Sequence, residues 1–179
     1  MTDQTDQQEA PKIASPADLF AVAYQIEVDA VERYQILAGQ MDSHNNPELA
    51  AVFRDLARAE GIHAAEIRRL AGGIDVEARA RQVAKWNKGD SPESADLGGA
   101  HYLMTRAEAL QMALAGEERA LAYFTHVFAS LADEKMKAIA KTFIDEESEH
   151  VELCHRLIRK YQDADAKAAA DPDPAISQG

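Results

Sequence analysis

The 179-residue chain has little of what most binding and catalytic sites are built from. A single cysteine, Cys154, excludes an internal disulfide, a CxxC zinc site and a four-cysteine iron site within the chain. Basic residues are scarce, 19 Lys and Arg against 31 Asp and Glu, for a net charge of −12. No basic patch is available to neutralise nucleic-acid phosphates or to dock on an anionic membrane. Long apolar runs are also missing, and stretches such as Leu19 to Tyr24 are far too short to cross a bilayer. Residues 1–11 are polar and acidic, without the apolar segment of a signal peptide. The expectation is a soluble cytoplasmic protein that binds neither nucleic acid nor membrane. Period-two runs of β-branched residues are absent too, and most of the 9 Gly and 6 Pro sit between long uninterrupted segments. Those segments are rich in Ala, Leu, Glu, Arg and Gln, which are good helix formers. The reading is all-α.

Start and stop signals divide the chain. Residues 1–14 read as a disordered acidic N-terminal tail. A first helix opens at Ser15-Pro16 and carries Phe20, Ala23, Glu27, Ala30, Tyr34, Leu37 and Met41 on one face. A second opens at Asn46-Pro47, presents Phe53, Leu56, Glu60, His63, Ile67 and Leu70, and stops at Gly72-Gly73. Residues 74–104 break the rhythm, with a short amphipathic helix expected over Asp75 to Lys88 around Trp86 and a loop from Gly89 to Ala100. A third long helix opens at Thr105 with Glu108 as a capping box, and its face runs Leu110, Ala113, Glu117, Ala120, Phe124, Val127. A fourth runs from about Asp133 to about Tyr161 through Ala140, Phe143, Glu147, His150, Cys154 and Leu157. Residues 163–179 read as a disordered acidic C-terminal tail. The expectation is a four-helix bundle over 15–162, made of two antiparallel hairpins with a long crossover, 74–104, between the second and third long helices. One such crossover marks the ferritin-like class of bundles.

Each inward face carries a glutamate near its middle: Glu27, Glu60, Glu117 and Glu147. An unpaired carboxylate in a core is costly, so four converging ones call for positive charge among them. His63 lies three residues after Glu60 and His150 three after Glu147, a spacing that projects both members of each pair to one side of a helix. A lone Glu from two helices and Glu-x-x-His from the other two is the pattern of di-iron and di-manganese carboxylate bundles. Two divalent cations balance four carboxylates, and oxygen and imidazole ligands suit Fe, Mn or Zn. A third Glu-x-x-His string, Glu152 to His155, sits off the inward face and reads as a decoy. His44, His101 and His126 likewise read as surface, and Cys154 as a small buried hydrophobe.

The two halves repeat. Setting Glu27 on Glu117 pairs Ala23 with Ala113, Ala30 with Ala120 and Tyr34 with Phe124. Setting Glu60 on Glu147 pairs Leu56 with Phe143, His63 with His150 and Ile67 with Cys154. Tyr34, two turns beyond Glu27 on the same face, is a candidate catalytic residue, either hydrogen-bonding a ligand carboxylate or serving one-electron chemistry. The alternative is a core ring whose hydroxyl finds any acceptor.

The spans Gln25-Ile-Glu-Val-Asp-Ala-Val-Glu-Arg-Tyr34, Glu60-Gly-Ile-His63, Ala115-Gly-Glu-Glu-Arg-Ala120 and Glu147-Ser-Glu-His150 resemble the rubrerythrin-like branch of the ferritin-like superfamily. The resemblance covers roughly residues 16–161. It implies a dinuclear iron site on Glu27, Glu60, His63, Glu117, Glu147 and His150. It also implies an oxidoreductase that reduces peroxide or oxidises Fe(II) with O₂, and a homodimer. Two departures stand out. Typical members carry a rubredoxin-like four-cysteine domain, which this chain lacks, so electrons come from another protein or from Fe(II) itself. They also carry a carboxylate one turn after the third-helix glutamate, where this chain has Ala120, leaving the plainer ferroxidase-type ligand set. The competing expectations are a non-catalytic Mn or Zn protein and a metal-free helical interaction module.

Overall fold

The computed structural model describes residues 11–84, 91–92 and 103–170, with side chains described as far as residue 163. Five helices follow in order: α1 Pro16–Ser43, α2 Pro47–Leu70, α3 Val76–Val83, α4 Arg106–Ser130 and α5 Glu134–Ala170. Each start is set by a side chain that satisfies an otherwise unbonded backbone N–H. The Asp18 N–H donates to Ser15 Oγ at 3.2 Å, Leu49 to Asn46 Oδ1 at 3.2 Å, Ala78 to Asp75 Oδ1 at 2.9 Å, and Met136 to Asp133 Oδ1 at 2.9 Å. Thr105 and Glu108 form the reciprocal capping box at the head of α4. Past the end of α2, Gly72 and Gly73 take φ of 60° and 101°, the left-handed region that glycine enters at little cost.

Two apolar clusters give the topology. One joins the C-terminal half of α1 (Tyr34, Leu37, Met41) to the N-terminal halves of α2 (Leu49, Phe53) and α4 (Ala109, Ala113) and to Cys154 of α5. The other joins the N-terminal half of α1 (Leu19, Phe20, Ile26) to the C-terminal parts of α2 (Ile67) and α4 (Phe124, Val127), with Ala140 and Phe143 of α5. Thus α1 runs antiparallel to α2 and α4 and parallel to α5, while α2 and α4 are parallel. The two helix ends that residues 71–105 connect therefore lie at opposite ends of the bundle. The α1–α2 and α4–α5 hairpins also meet through α1 with α5 and α2 with α4. This is the expected ferritin-like bundle of two hairpins and a crossover.

The crossover is fastened at two levels. Near its start, α3 packs on α1, and the buried Asp18 carboxylate accepts from Arg79 Nε at 2.6 Å. Further on, Ser91 hydrogen-bonds Asp29 of α1, and the Pro92 carbonyl accepts from Arg119 Nε of α4 at 2.7 Å.

Three elements differ from the sequence reading. Helix α3 ends at Val83, short of Lys88, and Trp86 lies outside the described residues, as do His101 and most of the Gly89–Ala100 loop. Helix α5 continues past Tyr161 to Ala170. The added stretch contains Ala164, Ala166 and Ala168–Ala170, and alanine is the best helix former. The first residue hostile to helix is Pro172, which disfavours helix at Asp171. Leu70, expected inside, is exposed, because the buried stripe of α2 runs Phe53, Ala57, Glu60, Ala64, Ile67, Ala71. That stripe passes through small alanines, and the bulkier Leu56 and Leu70 fall one position to its side.

Candidate metal centre

Between the two apolar clusters lies a polar layer. Glu27, Glu60, Glu117 and Glu147 are all buried, at 3%, 2%, 2% and 1% relative exposure. On α4 the neighbouring Glu118 is exposed, so the helix turns Glu117 inward. Fully burying a large apolar side chain contributes about 1.5–3 kcal/mol, whereas an uncompensated buried charge costs several. Keeping four carboxyl groups out of water, ionised or protonated, therefore offsets the gain of several core residues and makes the layer the candidate site.

The imidazoles lie at one edge of this layer, with the rings of His63 and His150 stacked across α2 and α5 at 4.2 Å between centroids. Each turns Nδ1 toward the two glutamates of its own hairpin. His63 Nδ1 lies 3.1 Å from Glu60 Oε2 and 3.9 Å from Glu27 Oε2. His150 Nδ1 lies 3.3 Å from Glu117 Oε2 and 3.6 Å from Glu147 Oε2. In each hairpin the imidazole bonds one carboxylate and falls short of the other. Glu27 Oε2 and Glu147 Oε2 are buried without a hydrogen-bond partner.

The electrostatics follow from this crowding. Burial, then the charges of Glu147 and Glu60, hold the Glu27 carboxyl well above the usual carboxylate range. Burial pushes Glu117 up to about 7, against the pull of His150. Burial opposes charge on the His150 ring, yet its contacts with Glu117 and Glu147 raise it to about 10. Burial, followed by the nearby Glu117 and Glu60 charges, lifts the Cys154 thiol to about 12. Cys154 therefore keeps its proton at neutral pH and packs as a small apolar group in the first cluster.

The donor set fits divalent cations. Atoms of Glu60, His63 and His150 come within 4.8 Å of one another, as do atoms of Glu117, Glu147 and His150. Glu27 falls outside both trios, but its unpartnered Oε2 faces His63. Two orphaned buried carboxylate oxygens and two imidazoles at the layer's edge are what two cations would satisfy. All six residues read from the sequence thus occupy one layer. Tyr34 is buried in the adjoining cluster, its ring stacked on Phe53 at 6.3 Å between centroids. His44, His126, His155 and Glu152 are exposed, away from the layer.

The sequence reading passed over two features of the layer's surroundings. Asp29 and Arg119, two residues beyond Glu27 and Glu117, hold Ser91 and Pro92 against α1 and α4. Their equivalent spacing was visible, but nothing in the sequence tied them to residues 91–92. Glu146 is half-buried on α5, within electrostatic reach of His63, His150 and Glu66. Its signal was its place four residues before His150, one helical turn away on the same face.

Comparison with known proteins bears on this arrangement. The Rubrerythrin family model matches residues 18–98, which take in Glu27, Glu60 and His63. Glu117, Glu147 and His150 lie beyond that match and join the layer through the fold. No curated protein matches the chain. A solved structure of an uncharacterized conserved protein from Magnetospirillum magnetotacticum MS-1 is similar, with 32% identity and a TM-score of 0.61, over 92% of this chain and 100% of the other. With that identity over the relative's whole length, the family match on the first hairpin and a helical bundle of this topology, the chain belongs to the rubrerythrin-like branch of the ferritin-like superfamily.

Proposed function

We propose that this protein is a di-iron carboxylate oxidoreductase. The observation that carries the reading is the buried layer of four glutamates, two of whose oxygens have no partner, edged by two imidazoles. Glu27, Glu60, Glu117 and Glu147 would supply the four negative charges that two divalent ions require, and His63 and His150 would supply neutral nitrogen donors. Bound iron would contribute one-electron steps: two Fe(II) together reduce H₂O₂ to two waters, or O₂ to H₂O₂, with two protons taken up in either case.

The protein's own residues set the conditions. The apolar clusters above and below exclude bulk water. The carboxylates favour the higher charge that iron reaches on oxidation. Tyr34, buried two turns from Glu27, is proposed as a hydrogen-bonding or electron-donating residue. Cys154 is the one cysteine, so a further electron donor would be a separate protein, and the donor and homodimeric assembly are parts of this proposal. Ala120 occupies the position of the further family carboxylate and is fully buried, which supports iron oxidation over a peroxidase cycle.

The test is to load the metal-stripped protein with two Fe(II) without oxygen and mix it with O₂ or with H₂O₂, following ferric absorption. Oxidation by either, faster than that of free Fe(II) in the same buffer, supports the proposal. Retention of Fe(II) against both oxidants contradicts it and leaves a non-catalytic metal site.

A further inference from the structure

The layer's two sides differ in access. Toward α1 and α4, Glu27 and Glu117 are only 3% and 2% exposed. Two residues beyond them, Asp29 bonds Ser91 and Arg119 bonds the Pro92 carbonyl. Toward α2 and α5 the side chains of His63 and His150 are 27% and 15% exposed. Solvent thus reaches the layer past the imidazoles.

Two carboxylates stand at that opening. Glu66 lies three residues after His63, and Glu146 four before His150. Because α2 and α5 are antiparallel, both lie toward the same end of the stacked rings. Glu146 is half-buried, and burial raises its carboxyl above the ordinary value, while the imidazoles of His63 and His150 favour its charge and Glu147 and Glu66 oppose it. Glu66 is held by Arg69 Nε at 2.9 Å, which offsets part of its charge.

The geometry points to the α2–α5 seam as the loading route of the centre, with Glu146 as the residue that steers divalent cations to the imidazole edge. This rests on the proposed metal centre and adds to it the side from which cations arrive. Glu146 acts here by charge and position, not as a permanent ligand. A carboxylate beside the path raises the local concentration of a divalent cation, and removing its charge slows capture without changing capacity.

The test is stopped-flow uptake of Co²⁺ by the metal-stripped full chain, followed by the cobalt absorption, with endpoint stoichiometry by titration. Glu146→Gln is expected to slow capture by about three- to tenfold while final uptake stays at two per chain, and to flatten its dependence on ionic strength. Glu66→Gln is expected to slow it less, because Arg69 already screens that charge. Glu118→Gln, an exposed change on α4, is expected to leave the rate unaltered. An unchanged rate in Glu146→Gln overturns the proposal, as does a fall in its stoichiometry, which would make Glu146 a ligand. A wild-type chain with no saturable uptake would fail at the centre itself, a result distinct from either.

Discussion

The two hairpins carry the same trio, two glutamates and a histidine, and arrange it differently. In α1–α2, His63 bonds the glutamate of its own helix, Glu60, and stands off from Glu27. In α4–α5, His150 bonds the glutamate of the neighbouring helix, Glu117, and stands off from Glu147. The choice is reversed but the outcome is the same, one buried carboxylate oxygen per hairpin, Glu27 Oε2 and Glu147 Oε2, without a hydrogen-bond partner. Two imidazoles cannot satisfy four buried carboxylates, whichever way they lean. A layer built for stability alone would pair all of them or replace them with apolar groups, which is often more stable. The shared deficit is what supports the proposal that the layer takes cations.

The largest expected effect comes from removing one hairpin's donors. Glu60→Ala or His150→Ala should weaken divalent-metal binding by more than about a hundredfold, since even outer partners of ligands are worth 10- to 100-fold. Saturable uptake falls to one ion or none, while far-UV circular dichroism keeps its helical signal. Unchanged stoichiometry would show that the affected hairpin holds no ion.

The protonation of the layer gives a second test. Glu117 is raised to about 7 from 4.5, and His150 to about 10 from 6.5. In both windows the folded metal-free chain holds more protons than the unfolded one, so stability falls as pH rises, through 4.5–7 for Glu117 and 6.5–10 for His150. The metal-free melting temperature should drop by about 5–10 °C between pH 5 and pH 8. Added metal should oppose the drop, because binding favours deprotonated ligands. A flat metal-free profile would contradict the crowding of the layer.

The crowding can be relieved one carboxyl at a time. At alkaline pH, where burial and the Glu147 and Glu60 charges oppose its ionisation, Glu27→Gln should stabilise the metal-free chain by about 1–2 kcal/mol, or roughly 3–6 °C. Glu117→Gln should gain less, because His150 already bonds it. Equal gains at both positions would erase the distinction between bonded and orphaned carboxylates.

Tyr34→Phe is the smallest change and makes α1 match α4, where Phe124 holds the equivalent place. Metal stoichiometry should stay at two and stability within about 1 kcal/mol. Fe(II) oxidation should slow by a few-fold in rapid mixing. An unchanged rate would reduce Tyr34 to a core ring.

Much of this was legible because helical periodicity constrains it. Caps at Ser15, Asn46, Thr105 and Asp133 and the glycines at 72–73 place the long helices. A polar residue that recurs on an apolar stripe, as Glu27 and Glu117 do, is a conflict that only function explains. Position on the stripe also separated Glu147–His150 from Glu152–His155. What periodicity does not carry is pairing between distant segments. Ser91 with Asp29 and Pro92 with Arg119 each join separate elements, and Glu146 and Glu66 come from different helices. Helix α5 runs past the expected boundary because the alanines at 164, 166 and 168–170 sustain it.

The central claim is that the glutamate layer is a two-cation centre. The most direct measurement is an anaerobic Fe(II) titration of the metal-stripped chain beside its Glu27→Gln/Glu147→Gln double variant. Saturation at two Fe(II) per chain in the wild type, lost in the variant, is the predicted result. No saturable uptake, or equal uptake by both, would contradict it.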